Sequence, residues 1–559
     1  MVRPVTRIAL RELERTQSLV VFEAEIPSTP VPVVLTYRTR TGAVPAVDGI
    51  TVGAFDREHT EVEIPACTRE RRLELRVERE ALPTSGLPSG KGFAWWLMLA
   101  RSHPEPAASL GFAPAIGGVR SPRAVEQGVV LWGHSHLDVA WLWTYAQTRR
   151  KAIRTFANTL ALFERDRTFS FVQSQPQLYE FVAQDDPELF ARVRCAVRDG
   201  RLDPDVAAMW VEPDCNVPSG ESLLRQMLYA NRFCVEAFGV EPQIAWLPDS
   251  FGFARTLPTL LAHARIRYFA TTKLQWNDTT RFPYAQFRWR GPDGSEITSA
   301  LIDSYDGGPD PRRVAIARAR AEPLVVGYGD GGGGPTLRHL ELGERIGAWQ
   351  RPREWFERLD AGRSDLPVHD DELYLEYHRG VYTTHHDMKS HNAALERALD
   401  AAEERVAWCI AVRAPSDVVA RLREALERAW KIVLRNQFHD VLPGTSIHAV
   451  YDDARAEYGQ AHELVAGVTA ATRSILPRAP RLERVVERIE PAIEDDEFIF
   501  ESALLRARVG SNGAITELSA AGGANACAQV NLLAAYRDRP RKWDAWNIDA
   551  GYKKKRISV

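Results

Sequence analysis

Five short apolar runs most constrain how the middle of this 559-residue chain can fold: GVVLW (128–132), FSFVQ (169–173), IAWLP (244–248), YFATT (268–272) and LVVGYG (324–329). Each reads as a buried strand, and helical patterns lie between them. Strand–helix alternation predicts an α/β region over residues 126–385, with a mainly parallel sheet or barrel. In such folds ligands gather at the carboxyl ends of the strands. One intervening helix is expected over ESLLRQMLYANRFCVEAF (221–238), where Leu224, Met227 and Leu228 recur at helical spacing and Ser219 stands at the N-cap position.

The flanks read differently. VPVVLTYRT (31–39), TEVEIPA (60–66) and RLELRVE (72–78) alternate apolar and polar residues, which predicts a small β domain over residues 1–85. The Pro/Gly/Ser-rich passage ALPTSGLPSGKG (81–92) and a second one near 104–122 are turn and linker signals, so residues 86–125 are expected to be a linker. Residues 386–480 are rich in Ala, Glu, Arg and Leu and predict a three-helix bundle. From residue 495 the β pattern returns, with a turn at Ser511-Asn512-Gly513.

Composition excludes several classes. A net charge of −3 gives no overall field for nucleic acid or an anionic membrane, and KKKR (553–556) reads as a solvated end. No run of about 18 apolar residues predicts a membrane span, and the charged stretch MVRPVTRIALRELERT is not a secretory signal. The six cysteines (67, 195, 215, 234, 409 and 527) form no CxxC pair, which argues against a disulfide framework and for a cytoplasmic home.

Four segments carry candidate chemistry. In GHSHLDVAWLW (133–143), His136 and Asp138 are two apart at a strand end, so both side chains share a face and can converge on one point, as Zn²⁺ ligation requires. His134 is in phase with them; a hydrogen-bonded strand-end histidine is the plainer alternative. In AWLPDSFGFARTLP (245–258), Asp249 can be nucleophile, base or ligand, or merely the N-cap of the next helix. RNQFHDVLPGTS (435–446) puts His439 and Asp440 at the end of a helical run, where a histidine is often only a dipole partner. VVGYGDGGGGPT (325–336) sets Asp330 beside four glycines; no GK[ST] follows, so a nucleotide site is set aside.

In chain order, GHSHLDVAWLW (133–143), MWVEPDCNVPSGESLLRQ (209–226), WLPDSFGFARTLPTLL (246–261), FATTKLQWNDTTRFP (269–283) and NQFHDVLPGTS (436–446) make residues 126–475 resemble the α-mannosidases of glycoside hydrolase family 38. VDGITVGAFDREHTEVEIP (47–65) is similar to the β domain that precedes the barrel in the family's cytosolic and bacterial branch. The resemblance implies a multidomain α/β protein whose catalytic domain is a seven-stranded (β/α) barrel holding one Zn²⁺, with Co²⁺ as the alternative ion. It implies His136, Asp138, Asp249 and His439 as ligands, Asp249 also as nucleophile, and Asp330 as acid/base. Trp141, Lys273 and Asp440 then match substrate-binding positions, and His134 is expected to support the ligands without binding the ion. The plainer fates are core packing for Trp141, a surface lysine for Lys273, a helix-end hydrogen bond for Asp440 and loop support for Asp330.

The implied activity is retaining exo-hydrolysis of terminal α-linked mannose from oligosaccharides, with the two carboxyls ~5–5.5 Å apart. No nucleic acid or membrane partner is expected. The rivals are a metal-dependent amidohydrolase or deacetylase, which would recruit His134 together with His136, and a catalytically impaired carbohydrate-binding fragment. Family members continue into a large C-terminal β-sandwich, and KWDAWNID (542–549) resembles a motif near its start. Residues 495–559 are therefore expected to be an incomplete sandwich, either poorly soluble or completed by a second chain or oligomer.

Overall fold

Among the described residues of the first 114, nine strands form: β1 (Thr6–Ala9), β2 (Arg11–Arg15), β3 (Leu19–Ile26), β4 (Val33–Thr36), β5 (Ala43–Val47), β6 (Ile50–Thr51), β7 (Glu61–Ile64), β8 (Arg71–Glu78) and β9 (Ser109–Pro114). They belong to a computed structural model that describes residues 6–16, 18–39, 41–79, 107–114, 128–363, 365–476, 489–541 and 545–557. The strands pair antiparallel into two sheets, ordered β1-β9-β4-β7 and β2-β3-β8-β5-β6. Period-two alternation sends Leu73, Leu75 and Val77 of β8 inward, where they meet Val20, Phe22, Leu35, Phe55 and Ile64 in one core.

Strand β9 corrects the linker expectation, because Ser109–Pro114 lies inside that passage yet pairs with both β1 and β4. Its Gly and Pro content reads as a turn, but partners on both edges and the burial of Leu110 override local propensity. The rest of residues 86–125, apart from 107 and 108, lies outside the described residues.

Ten strands follow in the middle region: β10 (Val129–His134), β11 (Phe171–Val172), β12 (Leu202–Asp203), β13 (Ile244–Trp246), β14 (Tyr268–Thr271), β15 (Gln286–Arg290), β16 (Glu296–Leu301), β17 (Leu324–Val326), β18 (Gly347–Trp349) and β19 (Val368–His369). Seven of them form two parallel runs, β12-β11-β10-β17 and β13-β14-β16; β18 also lies parallel to β10 and β19 to β15, while β15 runs antiparallel to β16. Among the described residues no ladder joins the runs into the expected closed barrel; single bridges, Ala207–Ala245 and Gly307–Gly327, stand between them. The strands are too short for a continuous ladder, since β11 and β12 have two residues each.

The helix expected over 221–238 spans Gly220–Phe238. Ser219 Oγ accepts from the Ser222 N–H at 3.2 Å, a cap that contributes about 1 kcal/mol, and Gly239, in the left-handed region at φ 70°, ends it. Of the three apolar positions only Met227 is buried; Leu224 and Leu228 are 36% and 45% exposed. The buried stripe runs through Leu223, Gln226, Met227, Ala230 and Cys234. Helical spacing fits either set, and the polar Gln226 decides the phase by donating to the Leu434 carbonyl at 2.9 Å.

Three helices, His386–Ala411, Ser416–Asn436 and His448–Ile475, follow. Their apolar faces do not form a separate core. Leu395, Leu399, Trp430, Val433 and Tyr451 join Leu137, Trp143, Phe171 and Trp210 in one cluster, each fully buried side chain contributing about 1.5–3 kcal/mol. A polar latch sits in the same contact: Gln437 donates to Asn392 at 2.9 Å and to Ser222 at 3.0 Å, and its carbonyl accepts from Asp214 at 2.8 Å. Helices and α/β region are thereby fixed in register around residues 437–440.

Arg473–Val559 forms a second compact unit. It holds an antiparallel sheet of β20 (Ala492–Glu494), β21 (Glu497–Glu501), β22 (Leu505–Gly510) and β23 (Ile515–Ala520), with the expected turn at Ser511–Gly513 between β22 and β23. Ile499 and Ala514 are buried, whereas Ile493, Leu504, Leu505 and Leu533 are 55–76% exposed. Residues 542–544 of the KWDAWNID stretch lie outside the described residues. All six cysteines are free thiols.

Candidate metal centre

Strand β10 delivers the first two groups. Beyond its end the chain leaves the ladder, and the buried His136 and Asp138 side chains meet, Nε2 to Oδ1, at 2.8 Å. Strand β13 ends at Trp246, and Pro248 turns the chain so that Asp249 is buried with them. The next helix begins at Leu257 after Thr256, so Asp249 is not its N-cap. Gly252 lies in the left-handed region at φ 123°, and a Cβ there would meet the Tyr374 ring at 2.4 Å. His439 comes from the turn after helix Ser416–Asn436, held in place by the Gln437 latch. One ligand atom from each of His136, Asp138, Asp249 and His439 lies within 4.8 Å of every other.

Two imidazoles and two carboxylates form the donor set that divalent zinc or cobalt takes. His439 Nε2 is the atom that tests the fit. Among the described residues it is buried without a hydrogen bond of good geometry, and it faces Asp249 at 3.2 Å, Asp440 at 3.6 Å and Asp138 at 3.7 Å. The carboxylates dominate the local charge. Burial pushes both imidazoles toward neutrality, but Glu212 and Asp138 hold His136 well above its ordinary value, and Asp138, Asp249 and Asp440 carry His439 up to about 10. A bound cation would supply the positive charge that these carboxylates here draw onto the two imidazoles.

Around the cluster the two carboxylates named as reactive are tuned apart. Burial would raise Asp249, but Lys273, His439 and His136 hold it well below the usual carboxylate range. Lys273, far from being a surface lysine, is 9% exposed and donates to Asp249 Oδ1 at 2.6 Å, under the rings of Phe251 and Trp276. Asp330 is half-buried, in the left-handed region at φ 50°, and among the described residues its carboxyl makes no hydrogen bond. Burial first, then Asp138 and Asp249, push it up to about 7. Its backbone is tied to the cluster, because its carbonyl accepts from the Asp138 N–H at 2.9 Å.

The remaining candidates divide. Burial raises Asp440, which also makes the plain local bond, accepting from the Thr445 hydroxyl. Trp141 is half-buried, edge-to-face on Trp143 with ring centroids 6.0 Å apart. His134 is buried against Trp246, whose indole donates to its Nε2 at 3.1 Å; no hydrogen bond links it to the four clustered residues. The supporting place expected of His134 is filled by Glu212, which sequence reasoning missed. Its carboxylate accepts from His136 Nδ1 at 3.2 Å and Ser174 Oγ at 3.1 Å, and its carbonyl accepts from His439 Nδ1 at 2.9 Å. One residue thus turns both Nε2 atoms toward the centre. The available signal was a lone glutamate in the apolar run MWVEP. Tyr305, also missed, sets its ring 4.7 Å from that of His136, and its phenol is raised well above the ordinary value by burial, then by Asp249, Asp330 and Asp138. Nothing local in SYDGG marks it.

Residues 126–372 match the N-terminal domain of glycosyl hydrolases family 38, and residues 376–475 match the α-mannosidase middle domain. The chain is 36% identical over 339 residues to α-mannosidase G of Dictyostelium discoideum, covering 57% of this chain and 31% of that protein. It is 36% identical over 344 residues to human α-mannosidase 2C1, covering 58% and 33%. The chain therefore spans about a third of the length of these relatives. A crystal structure of an α-mannosidase from Enterococcus faecalis shares the fold, with a TM-score of 0.54 at 20% identity over 67% of this chain and 47% of that one.

Proposed function

Residues 126–475 belong to glycosyl hydrolase family 38, and from that premise we propose that the chain is a retaining exo-α-mannosidase acting on terminal α-linked mannose of oligosaccharides. The observation that carries the reading is the buried convergence of His136, Asp138, Asp249 and His439 within 4.8 Å. These four residues would hold one Zn²⁺, with Co²⁺ as the alternative ion. Bound there, the ion supplies Lewis-acid charge that anchors vicinal hydroxyls of the sugar and keeps the neighbouring carboxylates ionised.

The chain's own residues then act in two displacements. The ionised Asp249 attacks the anomeric carbon while the bond to the leaving oxygen breaks, and Asp330 gives that oxygen its proton. Asp330, now a carboxylate, takes a proton from water, which attacks the anomeric carbon and releases Asp249. The opposite tuning of the two carboxyls supports these roles. Lys273 orients Asp249, and Trp141 and Asp440 bind the sugar. His134, set against Trp246, counts against the amidohydrolase alternative, which needs it as a ligand. Among the described residues no helix is long and apolar enough to cross a membrane, and a cytoplasmic home is part of the proposal. The exposed apolar residues of β20–β23 fit the expectation that a further chain or oligomer covers that unit.

Metal analysis with hydrolysis of an aryl α-mannoside, wild type against Asp249→Ala, tests the reading. One ion per chain and loss of hydrolysis in the variant are expected. Hydrolysis unchanged by the substitution would sink the mechanism, and protein purified without chelator that holds no metal would sink the site.

A further inference from the structure

We propose that Asp56 and His59, from the N-terminal β region, are positioning residues that anchor the glycine loop carrying Asp330. The proposal rests on reading Asp330 as the acid/base. The loop, residues 329–335, is held on one side by the metal centre: Asp138 donates to the Asp330 carbonyl at 2.9 Å and Gly332 to the His136 carbonyl at 3.2 Å. Its own backbone gives it little stiffness. Asp330, Gly332, Gly333 and Gly334 all have φ between 50° and 100°, and glycine loses more conformational freedom on ordering than any other residue. Contacts from outside must therefore decide where Asp330 stands.

On the other side those contacts come from the FDREH segment. His59 Nε2 lies 3.0 Å from the Pro335 carbonyl, and its Nδ1 lies 3.0 and 3.1 Å from the two Asp56 oxygens. A carbonyl and a carboxylate only accept, so the ring donates from both nitrogens and is an imidazolium. Asp56 is itself fixed, accepting from the backbone N–H of Glu58 at 2.9 Å and of His59 at 2.8 Å. The fit is close: a Cβ on Gly333 would meet His59 Cε1 at 2.9 Å and Asp56 Oδ2 at 3.3 Å. From beneath, Thr155 Oγ1 accepts from the Gly333 N–H at 2.9 Å. His59 is only 8% exposed. A buried ion pair is costly against an apolar contact of equal volume, and its return here is direction: it fixes the Pro335 carbonyl, five residues from Asp330.

The test uses the full chain loaded with zinc, as wild type, His59→Ala, His59→Gln and Asp56→Asn. Amide hydrogen exchange over residues 329–335 reads the anchor. Hydrolysis of a methoxyphenyl and a dinitrophenyl α-mannoside reads the acid, because the second leaving group needs no proton. In His59→Ala, exchange in the loop should quicken with metal content unchanged. Its kcat/KM on the methoxyphenyl substrate, which reports the first displacement alone, should fall about 10- to 100-fold, with kcat/KM on the dinitrophenyl substrate nearly kept. Gln can still donate to Pro335 and should restore most of the loss. Loop exchange equal to wild type in His59→Ala overturns the anchor. Faster exchange with equal losses on both substrates upholds the anchor and overturns the acid role of Asp330. If His59→Ala does not fold, Asp56→Asn against His59→Gln gives the same reading, with faster loop exchange expected in the first.

Discussion

Asp249 is buried between Lys273 and His439, with a charged partner at each oxygen, whereas the Asp330 carboxyl lies half-buried on a glycine loop and makes no hydrogen bond among the described residues. Both lie close enough to Asp138 to feel its charge or its backbone, Asp330 through its own carbonyl. The first is surrounded by cations and stays ionised; the second sees burial and the charges of Asp138 and Asp249 and rises to about 7. In the proposed function, that difference is how one fold would make a nucleophile and an acid from the same side chain. The ligand cluster is built from strand ends and a helix latch and needs rigidity, while the loop needs backbone freedom to bring a carboxyl in without pairing it.

The sharpest way to break this contrast is to remove each carboxylate in turn. Asp249→Ala deletes the proposed nucleophile and a proposed ligand together, so kcat/KM on an aryl α-mannoside should fall at least about 10⁴-fold, with metal content by mass spectrometry falling too. Asp330→Asn should cost about 10²–10⁴-fold on a substrate with a poor leaving group and much less on dinitrophenyl α-mannoside, with metal content retained. Equal losses for the two variants on the activated substrate would erase the distinction.

Glu212→Gln removes the charge that holds His136 while keeping an acceptor. Metal affinity, followed by titrating apo-protein, should weaken about 10- to 100-fold, and saturating metal should recover activity. The smallest effect is in pH. Asp330 carries its proton below about 7, so kcat/KM should decline as pH rises beyond that value, approaching tenfold per unit. Asp249, held far lower, contributes no limb in that range. In Asp330→Asn the alkaline limb should vanish; its persistence would assign it to another group.

Much of this was legible in the chain. The apolar runs predicted the parallel strands, and Ser219 predicted a cap that forms. What escaped involves partners far away in sequence. The linker expectation failed at Ser109–Pro114 because a Gly- and Pro-containing hexapeptide becomes a strand only between β1 and β4. Leu224 and Leu228 point outward because Gln226 reaches Leu434, 208 residues on. The barrel expected as one closed ladder is two runs of short strands. Exposed leucines in β22 and after β23 contrast with the filled N-terminal core, although both segments alternate alike.

By itself the sequence determined which donors are present and in what order, because imidazole, carboxylate and glycine chemistry belongs to the residue and needs no neighbour. It also determined the local geometry of caps and turns, which close within a few residues. Tertiary structure alone decided that His136 joins the cluster while His134 packs on Trp246, that Glu212 orients both histidines, and that His59 reaches Pro335 across 276 positions. These choices depend on which face each segment buries. That is set by packing and desolvation between segments hundreds of residues apart, and no local pattern records it.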